Sequence, residues 1–483
     1  MAKNLLAILA ALCLVAAIGS VGASAVVEYD PESGPALYTS AYGKGEFNIL
    51  VIPDAHQTAI EDSNLIAYIS AAIKSTADVG MPLDLIIFLG DSVTGSACAN
   101  PAAIATAVGR LLAPVKAAKI PYTLVFGNHD LGDAPAGAIT GPELLRIWRD
   151  AGGTIDFTYD EQVLETPATD TEDAVYIMVP KTVSVPLFAQ PTAAAGDGLA
   201  ELFEGTSTVV TPGITGTTNF MYTISKNYYI DTIYTDGRLT HAPVNKNGGA
   251  NTFDHSEDYA QLFLFDIGSK NAGQDGYPYV RTDQLTWFTA SNDAALPAYV
   301  FQHIPLPEVY SNCFFLKSPF NWALPGTRNI LEKNYFGTAN FINMVGTVLE
   351  APNPPKFSDG EFQKITAPGN VQAAFFGHDH MNNFVEKFPK IDLVQLPGAA
   401  WNGSYGTYLV RGGTFVSIHP NAASTGVTYS SNFFTYRQAS RVGGYGGIST
   451  TNGFKDWIQI VPFLLQNLMV DVFAPLRWIL GGF

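Results

Sequence analysis

Continuous apolar runs alternate with amphipathic stretches over the first third of the chain. Phe47 to Ile52 (FNILVI) reads as a strand, after which Leu65, Ile66, Ile69 and Ile73 recur at helical spacing. Leu83 to Leu89 (LDLIIFL) is a second strand, and Ile104, Val108, Leu111, Leu112 and Val115 mark a second helix. Ile120 to Phe126 is a third strand. Strands that are apolar along their whole length, separated by helices, predict an α/β fold whose parallel sheet is covered on both faces.

The pattern weakens from about Glu161 to Gly216, where Thr, Ala, Pro and Gly dominate, and this stretch reads as an insertion of irregular loops. Strand-like runs return at Phe220 to Ile224, Tyr228 to Tyr234 and Leu262 to Ile267. A helix at Thr282 to Ser291 precedes the strand Ala298 to Gln302, and Val371 to Phe376 is another buried strand. Shorter strands are expected at Asp392 to Gln395, Thr407 to Val410 and Thr414 to Ile418. There is no internal repeat.

The two ends differ from the body. Lys3, the apolar run Leu5 to Ala17 and the small residues Ala23-Ser24-Ala25 form the pattern of a cleaved secretory signal over residues 1–25. That implies a secreted or endomembrane-lumen protein. A catalytic domain would then occupy 26–440, with the insertion at 161–216. Residues 441–483 comprise a Gly-rich hinge at Gly443 to Gly447 and an apolar segment from Trp457 to Phe483. Polar residues and two prolines interrupt that segment, so it is a poor membrane span. It reads as a helix docking on the core or, alternatively, as one lying on a membrane surface.

Composition narrows the classes of function. The chain has 483 residues, 47% of them hydrophobic, and a formal net charge of −17. So acidic a surface excludes a nucleic-acid partner, because it offers no counterion release. A phosphorylated substrate would have to be drawn in by local cations, meaning metal ions. Of the three cysteines, Cys13 lies in the signal, leaving Cys98 and Cys313 as either a disulfide or two buried thiols. Asn402-Gly403-Ser404 is the one glycosylation sequon.

The chemistry is concentrated at strand ends, where open α/β sheets gather their ligands. Asp54-Ala55-His56, Gly90-Asp91, Gly127-Asn128-His129-Asp130, Gln302-His303 and Gly377-His378-Asp379-His380 each follow an apolar run. Five of the eight histidines lie in these five signatures. Each short motif alone has an ordinary use: Gly-Asp after a strand is a common turn, and one histidine is commonly a core residue. All five in this placement instead point to two metal ions a few ångströms apart. Asp91 is the natural bridge, since a carboxylate offers two oxygens. Asp54 and His56 project the same way from an extended segment. Asn128 supplies a neutral oxygen, while His303, His378 and His380 supply nitrogens. This donor set, without sulfur, suits Fe, Mn or Zn as two divalent or trivalent ions. Two such ions would lower the pKa of a shared water and orient a phosphate ester. His129 is then placed to protonate the leaving group as general acid. His241, His255 and His419 read as loop or surface residues.

In order and spacing these residues resemble the calcineurin-like metallophosphoesterase superfamily, whose pattern is D-x-H, G-D, G-N-H-[D/E], a lone H and G-H-x-H. Phe301 to Glu308 (FQHIPLPE) and Gly377 to Phe384 (GHDHMNNF) look closest to its purple acid phosphatase-like branch. The resemblance spans residues 47 to 420. It implies a four-layer αββα sandwich of two mixed sheets with the dimetal site at the sheet edge. It also implies that one ion takes Asp54, His56, Asp91 and His380, and the other Asp91, Asn128, His303 and His378, with His129 as the acid. The chain departs from the pattern at Thr94. Purple acid phosphatases carry a metal-binding tyrosine there, and many other relatives carry an aspartate that orients the catalytic histidine. His129 therefore needs another partner or is a weaker acid, and neighbouring Asp130 reads equally well as a cap.

The sequence thus implies a metal-dependent phosphomonoesterase in which a hydroxide bridging the ions attacks phosphorus. Its rivals are a phosphodiesterase with the same site and a catalytically silent, metal-binding interaction protein.

Overall fold

The computed structural model describes residues 46–450, apart from 82, 167–174, 204–207, 226–257, 269–275, 311–312, 318–334, 340–343, 349, 351, 407–409 and 421–426. The signal expected over residues 1–25, the strand expected at Tyr228 to Tyr234, most of the one expected at Thr407 to Val410, His241, His255 and the apolar C-terminal segment lie outside the described residues.

The β-α alternation appears as β1 (Phe47–Ile52), α1 (Ser63–Asp78), β2 (Leu85–Leu89), α2 (Pro101–Ala118), β3 (Tyr122–Val125) and α3 (Gly141–Gly152). Local chemistry starts each helix. The side chains of Asp62 and Asn100 accept the backbone N–H of Leu65 and Ala103, and Thr140 with Glu143 closes a reciprocal capping box. Pro101 opens α2, where its missing N–H costs nothing.

There follow β4 (Thr154–Thr166), β5 (Val175–Pro186), β6 (Ala193–Ala195), α4 (Leu199–Leu202), β7 (Val209–Thr211), β8 (Asn219–Ser225) and β9 (Asp258–Phe265). The chain continues through α5 (Thr282–Ser291), β10 (Ala298–Gln302), β11 (Cys313–Lys317), β12 (Tyr335–Ala339) and β13 (Met344–Val348). The described part ends with α6 (Glu361–Thr366), β14 (Val371–Phe376), β15 (Asn382–Lys387), β16 (Asp392–Gln395), β17 (Gly412–Pro420), β18 (Val427–Thr435) and α7 (Tyr436–Ala439). The irregular loops expected at Glu161 to Gly216 are in large part strands. β4 and β5 form a long antiparallel pair, and β6 and β7 extend a sheet. The alternation Ile155, Phe157, Tyr159 starts before the Thr-rich stretch, and Pro180 inside β5 masks the strand signal.

Two mixed sheets dominate. The first has the order β18-β17-β1-β2-β3, and the second β13-β15-β16-β14-β10-β9-β8-β6-β7. β1, β2 and β3 run parallel, and so do β9, β10, β14 and β16. Side chains alternate across the second sheet. Leu262, Leu264, Phe301 and Phe375 join the core shared with the first sheet and α1 to α3. Phe263, Phe265, Val300 and Phe376 face the other way, onto Leu285 and Phe288 of α5 and Ile365 of α6. The result is helix, sheet, sheet, helix: the four-layer αββα sandwich expected. No helix among the described residues is long and apolar enough to cross a membrane.

Candidate metal centre

All five signatures leave the carboxyl ends of parallel strands β1, β2, β3, β10 and β14, and the loops they form are laced together by backbone hydrogen bonds. Asp54 and His56 donate N–H to the carbonyls of Gly90 and Asp91 (3.0 and 2.8 Å), and Gly377 donates to His303 (2.9 Å). Asp54, His56, Asp91 and His378 all have positive φ, between 45° and 72°. For side-chain-bearing residues such φ values cost on the order of 1–3 kcal/mol each and persist only where the surroundings enforce them. Here the interlocked loops supply that enforcement.

Two groups of donor atoms result. Asp54, His56 and His380 form one, and Asp91, His303 and His378 the other; all six are buried, and within each group the donor atoms lie within 4.8 Å of one another. The resemblance separates Asp54, His56 and His380 from His303 and His378 in the same way, but shares Asp91 between the two sets and adds Asn128 to the second. Each carboxylate spends one oxygen on the scaffold and turns the other inward. Asp54 Oδ2 accepts the N–H of His378 (2.9 Å) and Asp91 Oδ1 that of His129 (2.7 Å). Asp91 Oδ2 then lies 3.0 Å from His303 Nε2 and 3.7 Å from His56 Nε2, between the two groups. Asp54 Oδ1 is 3.2 Å from His380 Nε2.

The histidines are oriented from behind. The Nδ1–H of His303 donates to the carbonyl of Leu89 (3.0 Å) and that of His380 to the carbonyl of Tyr405 (2.8 Å). Each ring therefore presents Nε2 as a lone-pair donor to the centre. Asn128 Oδ1 and His378 Nε2 are buried without a hydrogen-bond partner, and Asp54 Oδ1 and His303 Nε2 face only other donor atoms of the centre. Buried polar atoms are rarely left so, and this orphaned set of nitrogen and oxygen donors fits two metal ions.

The electrostatics point the same way. Burial opposes charge on His303, but Asp91 and Asp54 beside it prevail and raise its pKa to about 10. Asp54 likewise lifts His380, against its burial, to about 9. Burial and neighbouring His380 hold His56 down at about 3, and burial with His303 keeps His378 well below its ordinary value. Burial also opposes charge on Asp91, yet His303 holds it well below the usual carboxylate range. Without ions, such a centre would draw in positive charge and keep one proton in each group. Ions must expel those protons, on His303 and His380, so affinity for Mn²⁺ or Zn²⁺ should rise with pH up to about 9–10. Near pH 7, filling both groups should release about two protons per chain, measurable by titration in weak buffer; release of none would mean that the protons or the ions sit elsewhere.

His129 stands at the rim, its side chain 41% exposed and its Nε2 4.0 Å from Asp91 Oδ2. Its partner is a residue that the motifs did not single out. Asp133 Oδ1 lies 3.0 Å from His129 Nδ1. Asp130 is not that partner: its carboxylate accepts the N–H groups of Ser92, Val93 and Gly127, tying the second signature to the third. Two aromatic residues were also missed. Tyr277 meets the His378 ring edge-on at 4.3 Å, and Tyr405 stacks on His380 at 4.2 Å. Both come from loops with no periodicity to flag them. The motif glycines make room for ligands of other strands. A Cβ on Gly90 would lie 2.4 Å from His303 Nδ1, and one on Gly127 would lie 2.2 Å from Asp91 Oδ1. His419 lies apart on β17, against Glu46 and Ser430, and Cys98 is a buried free thiol.

With this geometry in view, comparison with known proteins is direct. Part of the chain is similar to the calcineurin-like phosphoesterase family. The model of that family matches residues 47–187, which include Asp54, His56, Asp91, Asn128 and His129. His303, His378 and His380 fall beyond the match, and it is the fold that brings them beside Asp54, His56 and Asp91. Among curated relatives, "Probable inactive purple acid phosphatase 14" of Arabidopsis thaliana is 27% identical over 29% of this chain and 33% of its own length. "Probable inactive purple acid phosphatase 29" of the same plant is 20% identical over 72% of this chain and 70% of its own length. The match therefore spans about a third of the length of the first. Among solved structures, a dimetal phosphatase from Danio rerio aligns over 80% of this chain and 99% of its own, with 10% identity and a TM-score of 0.38.

Proposed function

We propose that the protein is a phosphomonoesterase that works with two metal ions of the Fe, Mn or Zn type. Two buried donor groups with Asp91 Oδ2 between them, and a partly exposed histidine at the rim, carry this reading. One group would hold an ion with Asp54, His56 and His380, and the other with His303, His378 and Asn128, with Asp91 common to both. When bound, the ions supply charge neutralisation for the phosphate and a water of lowered pKa.

The protein's own residues do the rest. The inward oxygens of Asp54 and Asp91 fix the spacing of the centre, and the carbonyls of Leu89 and Tyr405 hold the rings of His303 and His380 in place. A hydroxide oxygen bonds to phosphorus as the phosphorus–ester bond breaks, and the electron pair leaves with the ester oxygen. His129 gives that oxygen a proton, so the alcohol departs neutral. A secreted or lumenal setting, suggested by the N-terminal segment, belongs to the same proposal, as does contact of the C-terminal apolar segment with a membrane surface.

The test compares p-nitrophenyl phosphate with bis-p-nitrophenyl phosphate, using protein loaded with Mn²⁺, Zn²⁺ or Fe²⁺. Metal-dependent turnover favouring the monoester is expected. Preference for the diester would replace the reading by a phosphodiesterase. Two bound ions without turnover of either ester would make it a silent binding protein, in keeping with the names of its relatives.

A further inference from the structure

Thr94 leaves His129 without a carboxylate at the position where many relatives have one, yet the structure places one beside its ring. Residues 129–133 form a single turn, closed by the N–H of Asp133 donating to the carbonyl of His129 at 3.0 Å. The turn brings Asp133 back under the imidazole, with Oδ1 3.0 Å from Nδ1. The other oxygen is anchored as well: Asp133 Oδ2 accepts the hydroxyl of Thr94 (2.7 Å) and the N–H of Gly95 (2.8 Å). Thr94 is fixed in turn by its own N–H, which donates to the carbonyl of Gln57 (3.2 Å) in the loop after β1. A short chain of bonds thus runs from Gln57, next to the first signature, through Thr94 and Asp133, to the ring of His129.

We propose that Asp133 is the positioning residue of His129, with Thr94 as the clamp that aims it. An acceptor at Nδ1 keeps the hydrogen on that nitrogen and fixes the ring plane. The proton to be given away is then the one on Nε2, the nitrogen that faces Asp91 and the centre. As the ester bond breaks, the Nε2 proton passes to the leaving oxygen. The imidazole is left neutral, still donating through Nδ1–H to Asp133, and is reloaded from water. Thr94 is accordingly part of the apparatus: its hydroxyl holds a carboxylate that arrives from a different part of the chain.

Two arms test this, and only the first rests on the phosphoesterase reading. In the first, Asp133→Ala is assayed on p-nitrophenyl phosphate and on an alkyl phosphate, whose leaving group needs a proton far more. The alkyl ester should lose at least about tenfold in turnover, a part of the hundredfold or more that a general acid contributes, while the nitrophenyl ester changes little. Thr94→Asp in the Asp133→Ala background should recover the alkyl ester, because a carboxylate at 94 reaches the place vacated at 133. In the second arm, ring ¹⁵N shifts of His129, assigned with His129→Gln, report which nitrogen carries the hydrogen. The hydrogen should sit on Nδ1 in the native protein and shift toward Nε2 in Asp133→Ala. An unchanged tautomer, or equal losses on both esters, overturns the proposal. A tautomer shift in a protein that turns over neither ester would retain the positioning role and discard the phosphoesterase reading.

Discussion

Replacing Asp91 by alanine should remove ion binding and turnover together. Its Oδ2 lies close to histidines of both groups, 3.0 Å from His303 Nε2 and 3.7 Å from His56 Nε2, whereas Asp54 Oδ1 comes no nearer than 3.9 Å to His303. Its Oδ1 anchors the backbone of His129 at 2.7 Å, so the same substitution also frees the rim. Loss of a residue that merely supports a metal ligand costs about 10- to 100-fold in affinity. Loss of a shared ligand should exceed that for both ions, and calorimetric titration with Mn²⁺ or Zn²⁺ would measure it. Asp91→Asn is the companion variant, since it keeps the shape and removes the charge. It should fold normally and still lose the second ion. Two ions bound by Asp91→Ala with native affinity would rule out Asp91 as the bridge.

His129→Gln should separate chemistry from ion binding. His129 is not among the six clustered donors, and its backbone N–H remains available to Asp91 after substitution. Elemental analysis should therefore still find two ions per chain. Turnover of an alkyl phosphate should fall by about 10²- to 10⁴-fold, the range of a general acid, and that of an activated aryl ester by much less. Unchanged turnover of the alkyl ester would remove His129 from the reaction.

Much of the framework was legible because central parallel strands are apolar along their whole length. FNILVI, AYVFQ and VQAAFF announce β1, β10 and β14, and the strand ends announce where the chemistry gathers. The helix expected around Thr282 to Ser291 is present. Strands carrying polar residues were harder. Asn382–Lys387 (NNFVEK) lacks the apolar run of a central strand, and β5 hides behind Pro180. The residues expected as ligands could be placed near one another because each follows a strand. Asp133 could not, for a different reason. Its role depends on residues 129–133 closing one turn, so that a side chain four positions on returns beneath the ring. Spacing along an extended reading of Asn128-His129-Asp130 gives no hint of it. Tyr277 and Tyr405 depend on loop paths that no local pattern encodes.

The close fit of Gly90 against His303, and of Gly127 against Asp91, changes what an intact motif can be taken to mean. A lineage that abandoned catalysis would still need both glycines, because any side chain there would collide with His303 or Asp91. The same holds for the backbone-anchoring oxygens of Asp54 and Asp91. Completeness of the five signatures therefore testifies to assembly as much as to chemistry, and it is poor grounds for telling a working enzyme from a retired one. His129 and Asp133, with side chains 41% and 27% exposed, are less bound by that obligation. In a chain whose named relatives are called inactive, this rim pair is where loss of function could occur without loss of the fold.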